Sequence, residues 1–210
     1  MINGIEFKVS SKHGNKHVDS RDGNLILLGG GMCVWEDYAE ARKLFAPTGY
    51  NDSQYEIMCV NDIAGQFTEE KIHHAVSLHK RILPAVRLLR VEKSMLEKFT
   101  THSNLAGDEV DVVWNLHNAG GTSGLYAVKI ALLLGYKKII VCGVPMDNGG
   151  HYYDPKDSSI LNHTVRFASN KSSITPWRDL AKREIPQQRV RSMSGNTASI
   201  LGKPTQEWAN

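Results

Sequence analysis

Four stretches of this sequence carry residue types suited to chemistry: two glycine loops, one asparagine after an apolar run, and the triplet His151-Tyr152-Tyr153. Gly29-Gly30-Gly31 lets backbone N–H groups approach a ligand and point at an anion from the start of the helix that follows. It is no dinucleotide fingerprint, because G-x-G-x-x-G needs glycine at position 34, where Val34 stands. A G-x-x-x-x-G-K-[ST] phosphate loop occurs nowhere. The plainer reading of these glycines is a tight turn between strand and helix.

The loop Gly120-Gly121-Thr122-Ser123-Gly124 is richer. It opens an apolar helix, so two hydroxyls and several unpaired N–H groups meet at the positive end of the helix dipole, a cradle for phosphate or carboxylate. Thr122 or Ser123 can serve at the same time as the helix N-cap. Asn61 closes the second strand, and His151 with its two tyrosines follows the fifth. An imidazole there could act as a general base, its ordinary pKa lying near neutrality. Tyr152 and Tyr153 could donate to a leaving phosphate or stack on a ring. The nine histidines do not form a metal motif: no H-x-x-x-H pair sits beside a carboxylate in a helical frame, so His73, His74 and His79 read as core or surface residues. Arg183, Arg189 and Arg191, leading into Ser192 to Thr197, form either an anion-friendly turn or a solvated basic face.

These residues need a scaffold that brings strand ends together. Leu25-Ile26-Leu27-Leu28, Ile57-Met58-Cys59-Val60, Ala75-Val76-Ser77-Leu78, Val110 to Leu116 and Lys138 to Cys142 are short apolar runs that predict strands covered on both faces, and Arg189 to Ser192 predicts a last one. Helices are predicted over residues 34–45, from Leu83 to Phe99, and from Gly124 to Leu134, the last apolar nearly all round and stopped by Gly135. Strands alternating with helices predict an α/β fold, a doubly wound, mainly parallel sheet. In such a sheet ligands bind outside the carboxyl ends of the strands, where strand order reverses. All four candidate stretches follow strand ends and should converge there.

With 210 residues the chain has enough length for one sizeable core, predicted as a single domain over 24–210 behind a polar arm at 1–23. Residues 144–188 are polar and broken by four prolines, which predicts a short lid-like excursion after the fifth strand. The formal charge of +3 gives no nucleic-acid signature, and no apolar run reaches the roughly 18 residues of a membrane span. Cys33, Cys59 and Cys142, none in a C-x-x-C pair, fit reduced thiols and a cytoplasmic location. The apolar face of the helix from Leu83 to Leu96 could pair two copies in a homo-oligomer.

Thr122-Ser123-Gly124-Leu125-Tyr126, then Ala131 to Ile139 and Gly143, resembles the core segment of the bacterial lipooligosaccharide sialyltransferases, and more distantly the hydroxymethylpterin diphosphokinase-like proteins. The stretches His74 to His79 and Arg189 to Gly195 make the whole chain similar to uncharacterised tailed-phage proteins. The sialyltransferase resemblance implies a Rossmann-like fold, a CMP-linked sugar as substrate, no cofactor and no metal. It also implies a histidine base with tyrosines on the leaving phosphate. By position it places Gly30, Asn61, Thr122 and Ser123 on the nucleotide, with Gly29, Gly31, Gly121 and Gly124 around them. The lid that would hold the base does not align, so His151 is assigned by proximity, with His163 second. The expected activity is transfer of a sugar from a nucleotide to an acceptor hydroxyl; the alternative is a non-catalytic nucleotide binder. A diphosphokinase would need Mg²⁺ on carboxylates, for which Asp147, Asp154 and Asp157 are the local candidates.

Overall fold

The structure, a computed structural model, describes residues 7–9, 19–49, 51, 54–79, 81–116, 122–147, 149–153, 171–184 and 187–210. Its elements in chain order are β1 (Phe7–Val9), β2 (Asn24–Leu28), α1 (Val34–Phe45), β3 (Glu56–Val60), α2 (Ile63–Gln66), β4 (His74–Val76), α3 (Ile82–Glu92) and β5 (Thr100–Ser103). They continue with β6 (Val112–Trp114), α4 (Ser123–Leu134), β7 (Lys138–Cys142), α5 (Lys171–Glu184), β8 (Val190–Ser192), α6 (Gly195–Leu201) and α7 (Gln206–Ala209). The strands form one sheet in the order β1-β6-β5-β4-β3-β2-β7-β8. Every neighbouring pair is parallel except β1, which runs antiparallel along the edge of β6.

From β2 the chain winds outward through β3, β4, β5 and β6, then returns to lay β7 and β8 on the other side. Strand order therefore reverses between β2 and β7. The strands alternate their side chains between two buried layers, as a period of two demands. Leu25 and Leu27 of β2 and Ile139 and Val141 of β7 face one core with α4 and α5, while Ile26, Leu28, Ile140 and Cys142 face the other with α1 and α3. Because both faces are covered, the central strands read as unbroken apolar runs rather than alternating ones. The result is an α/β, Rossmann-like sheet wound on both faces.

Helix ends follow local chemistry. In α1, Glu36 and Asp37 sit in the first turn and Arg42 and Lys43 in the last, complementing the helix dipole. In α4, the Thr122 Oγ1 accepts from the Leu125 N–H at 3.3 Å, and Gly135 stops the helix at φ +97°.

Several predicted boundaries are corrected. The helix expected to reach Phe99 ends at Glu92, with Ser94 in left-handed backbone, and β5 begins eight residues after that helix ends. That strand gave no hydropathy signal because Thr101, His102 and Ser103 are polar yet buried. Their polar groups are matched internally: the Thr101 hydroxyl donates to the Glu109 carbonyl, and the Asp111 carboxylate accepts from the Thr101 N–H. The third predicted strand ends at Val76, which frees Ser77 and Leu78 for a loop, and the fourth shrinks to Val112–Trp114. Within the polar arm, Phe7–Val9 is the edge strand β1. Of the excursion at 144–188, residues 171–184 form α5, whose Trp177 and Leu180 pack into the α4 core, and residues 154–170 lie outside the described residues. Among the described residues no helix is long and apolar enough to cross a membrane.

Candidate functional site

A cavity of about 200 Å³ opens at the carboxyl ends of the strands, over the point where strand order reverses between β2 and β7. Gly29, Gly30, Gly31, Asn61, Thr122, Ser123, Gly124, His151 and Tyr153 all line it. Gly121 and His163 lie outside the described residues, as do His117, Asp154 and Asp157.

The turns after β2 and β7 meet backbone against backbone. Gly29 donates its N–H to the Cys142 carbonyl and Gly31 to the Gly143 carbonyl, both at 2.8 Å. A Cβ on Gly29 would lie 2.6 Å from the Gly143 oxygen, and one on Gly31 2.6 Å from the Pro145 ring. Glycine is required here because no side chain fits between the two turns. Gly30 differs, since a Cβ there would meet the rings of His151 and Tyr153 at 3.3 Å.

A short antiparallel contact carries His151 into the crevice. Gly31 and His151 form an isolated bridge, Tyr152 donates its N–H to the Gly30 carbonyl at 3.0 Å, and Met32 donates to the Gly150 carbonyl at 3.3 Å. The rings of His151 and Tyr153 stack 4.9 Å apart at 14°, and both residues line the cavity. Tyr152 packs edge-on against Trp35 at 5.6 Å and against Tyr153 at 5.1 Å, partly buried against the second core. It does not line the cavity, and burial pushes its hydroxyl pKa up to about 12. Of the triplet, His151 and Tyr153 are thus the two that face the cavity.

Asn61 ends β3 in left-handed backbone at φ +57°. At the start of α4, Thr122 is occupied as the cap, while the Ser123 oxygen accepts from the Leu78 N–H at 3.3 Å and keeps its own hydrogen to give. A Cβ on Gly124 would lie 2.8 Å from Val144, so this glycine lets the β7 turn close over the helix.

Sequence reasoning missed what holds the β7 turn. The buried Asp37 carboxylate on α1 accepts from the Gly143 N–H at 2.9 Å and from the Ser194 hydroxyl. Three successive carbonyls, of Val144, Pro145 and Met146, accept from Thr197 and Asn196. The turn at Ser192 to Thr197 thus spends these donors on the protein, which corrects its reading as an anion site. Arg191 likewise bonds the Leu201 carbonyl at 3.0 Å and lies over the Trp208 ring. His79 lines the cavity although its sequence context suggested a core or surface residue. No Lys or Arg is among the described lining residues, so an anion there would be met by N–H groups, hydroxyls and the α4 dipole. Among the described residues no group of three or more His, Cys, Asp or Glu could hold a metal ion.

A solved structure of the sialyltransferase CST-II in complex with CMP superposes on this chain with a TM-score of 0.56, covering 88% of each chain at 12% identity. The likeness is one of fold. No protein-family profile matches the sequence, and no curated protein does.

Proposed function

We propose that the crevice binds a nucleotide or nucleotide-sugar and transfers the sugar to an acceptor hydroxyl without a metal, in the cytoplasm. The observation that carries this reading is the meeting of two loops at the point of strand reversal: the Gly29–Gly31 turn faces the α4 N-terminus, with His151 beside both. The fold shared with a CMP-bound sialyltransferase supports it and favours a CMP-linked donor. In direct displacement, His151 takes the proton of the acceptor hydroxyl as that oxygen attacks the anomeric carbon and the bond to phosphate breaks. The α4 N-terminus and the hydroxyls of Ser123 and Tyr153 hold the departing phosphate.

Calorimetric titration with CMP-, UDP- and GDP-sugars tests the site, and release of the free nucleotide with EDTA present tests metal-independent turnover. Absence of binding by any of them refutes the reading. The absence of Tyr152 from the cavity lining, its ring packed against the second core, favours a second reading, a protein that binds the nucleotide without turning it over. Tight binding with no product, in the parent and in His151→Ala alike, selects that alternative.

A further inference from the structure

Ser77 leaves the end of β4, is fully buried, and does not line the cavity. Its hydroxyl nevertheless reaches two residues that do. The Ser77 oxygen accepts from the His79 N–H at 2.9 Å, and its single hydrogen is donated to Oδ1 of Asn61 at 2.8 Å. The competing acceptor for that hydrogen, the His79 carbonyl, lies farther away at 3.2 Å. The Ser77 backbone is itself anchored, its N–H donating to the His102 carbonyl at 3.1 Å, and the Asn61 N–H donates to the Val76 carbonyl at 2.9 Å.

An amide has one oxygen and one nitrogen, and the partner of one decides where the other goes. With Oδ1 turned to Ser77, the Asn61 NH₂ carries two donors that Ser77 does not use. Asn61 holds left-handed backbone, which asparagine adopts more readily than other residues with a side chain, and fixing its amide there still needs constraints. The β3–β4 pairing and the Ser77 hydroxyl supply those constraints.

We propose that Ser77 is a positioning residue that locks the Asn61 amide with its NH₂ toward the cavity, making this end of the site a reader of oxygen acceptors on the ligand. The inference rests on the nucleotide reading for its ligand, and it concerns a residue that touches no ligand. The acceptor is a phosphate, hydroxyl or carbonyl oxygen; a group that can only donate is refused.

Two arms test it. In the free protein, the Asn61 side-chain NH₂ signals in a ¹⁵N-labelled sample are identified by their loss in Asn61→Gly, a change that keeps the positive φ accessible. They are expected to shift and broaden in Ser77→Ala; signals unmoved by that change overturn the proposal. In the second arm CMP is titrated into the parent, Ser77→Ala, Asn61→Gly and the double variant. Ser77→Ala is expected to weaken CMP binding about five- to tenfold, as loss of one oriented hydrogen bond does, and to add nothing in the Asn61→Gly background. An equal loss in that background places the effect on the His79 loop and overturns the proposal. If the parent binds no CMP, UMP or GMP, the nucleotide reading fails, while the free-protein arm still decides whether Ser77 orients Asn61. Should Ser77→Ala fail to fold, Ser77→Cys, of similar shape with a much weaker donor, replaces it in both arms.

Discussion

Nδ1 of His74 and Nε2 of His102 lie 3.0 Å apart inside the sheet, both residues almost fully buried. The contact belongs to a chain with one direction. The Trp114 indole can only donate, and it does so to Nδ1 of His102 at 3.0 Å. His102 therefore donates through Nε2 to His74, whose Nε2 donates to the Tyr136 oxygen at 2.8 Å, and the Tyr136 hydroxyl donates to the Glu56 carboxylate. Both imidazoles are thereby neutral Nε2–H tautomers, and an extra proton on a bonded Nδ1 would set two hydrogens against each other. Long-range ¹⁵N–¹H spectra of the histidine rings at neutral pH should show this tautomer at both positions.

The same chain predicts loss of stability in acid in two stages. Burial lowers the His74 pKa from 6.5, so below that value the unfolded chain takes a proton that the folded one refuses, and stability falls. Burial alone would raise the Glu56 carboxyl, but the His74 ring nitrogen 3.5 Å away, the hydrogen bond from Tyr136 and the charge of Arg21 bring it down to about 2. Its contribution, on the order of 3 kcal/mol, is present above the ordinary carboxylate pKa and disappears as pH falls toward 2. Urea midpoints should begin to fall as pH drops through 6.5 and fall more steeply between about 4.5 and 2, and Glu56→Gln should flatten the lower stage.

Two glycines of the crevice should respond differently to alanine. At Gly143, φ is +64° and a Cβ would lie 2.6 Å from both the Gly29 oxygen and the Val34 Cβ. Gly143→Ala should cost about 3 kcal/mol, lowering the melting temperature by roughly 10 °C. At Gly30 the contacts at 3.3 Å are rings at the crevice, where Tyr153 is half exposed. Gly30→Ala should leave the melting temperature within about 2 °C while weakening nucleotide binding about tenfold. Thermal unfolding and calorimetry on the pair check both.

Asp37 joins three elements through one buried carboxylate. Asp37→Ala leaves the Gly143 N–H and the Ser194 hydroxyl without that acceptor and should destabilise by about 2–4 kcal/mol. Ser194→Ala should cost roughly half as much, and the double variant should fall short of the sum, because the two share a partner. Denaturant titration of the four proteins reads the coupling.

Tyr152 and Tyr153 are neighbours with opposite expectations. The Tyr152 hydroxyl is buried with no hydrogen-bond partner, so Tyr152→Phe should be neutral or stabilising by up to about 1 kcal/mol and leave nucleotide binding unchanged. Tyr153→Ala removes the ring stacked on His151 and should weaken binding about tenfold at nearly constant stability.

The central strands β2, β3 and β7 and the helix α4 were legible in the sequence because burial on both sides leaves unbroken apolar runs. β5 was not, since its buried hydroxyls and imidazole are satisfied by residues such as Glu109 and Asp111, which no local pattern reveals. Gly29 to Gly31, Asn61 and Thr122 to Gly124 could be picked out by following each strand to its carboxyl end. Asp37 could not, because its partner Gly143 is 106 residues away.

The sequence by itself determined that β2, β3, β7 and α4 are apolar enough to be buried, and hence that the glycine and hydroxyl loops beside them emerge at one edge. Only the tertiary structure decided which side chains of 151–153 face the crevice. The contacts that decide it, the bridge between Gly31 and His151 and the bond from the Tyr152 N–H to the Gly30 carbonyl, join segments far apart in the chain, which no local pattern reveals.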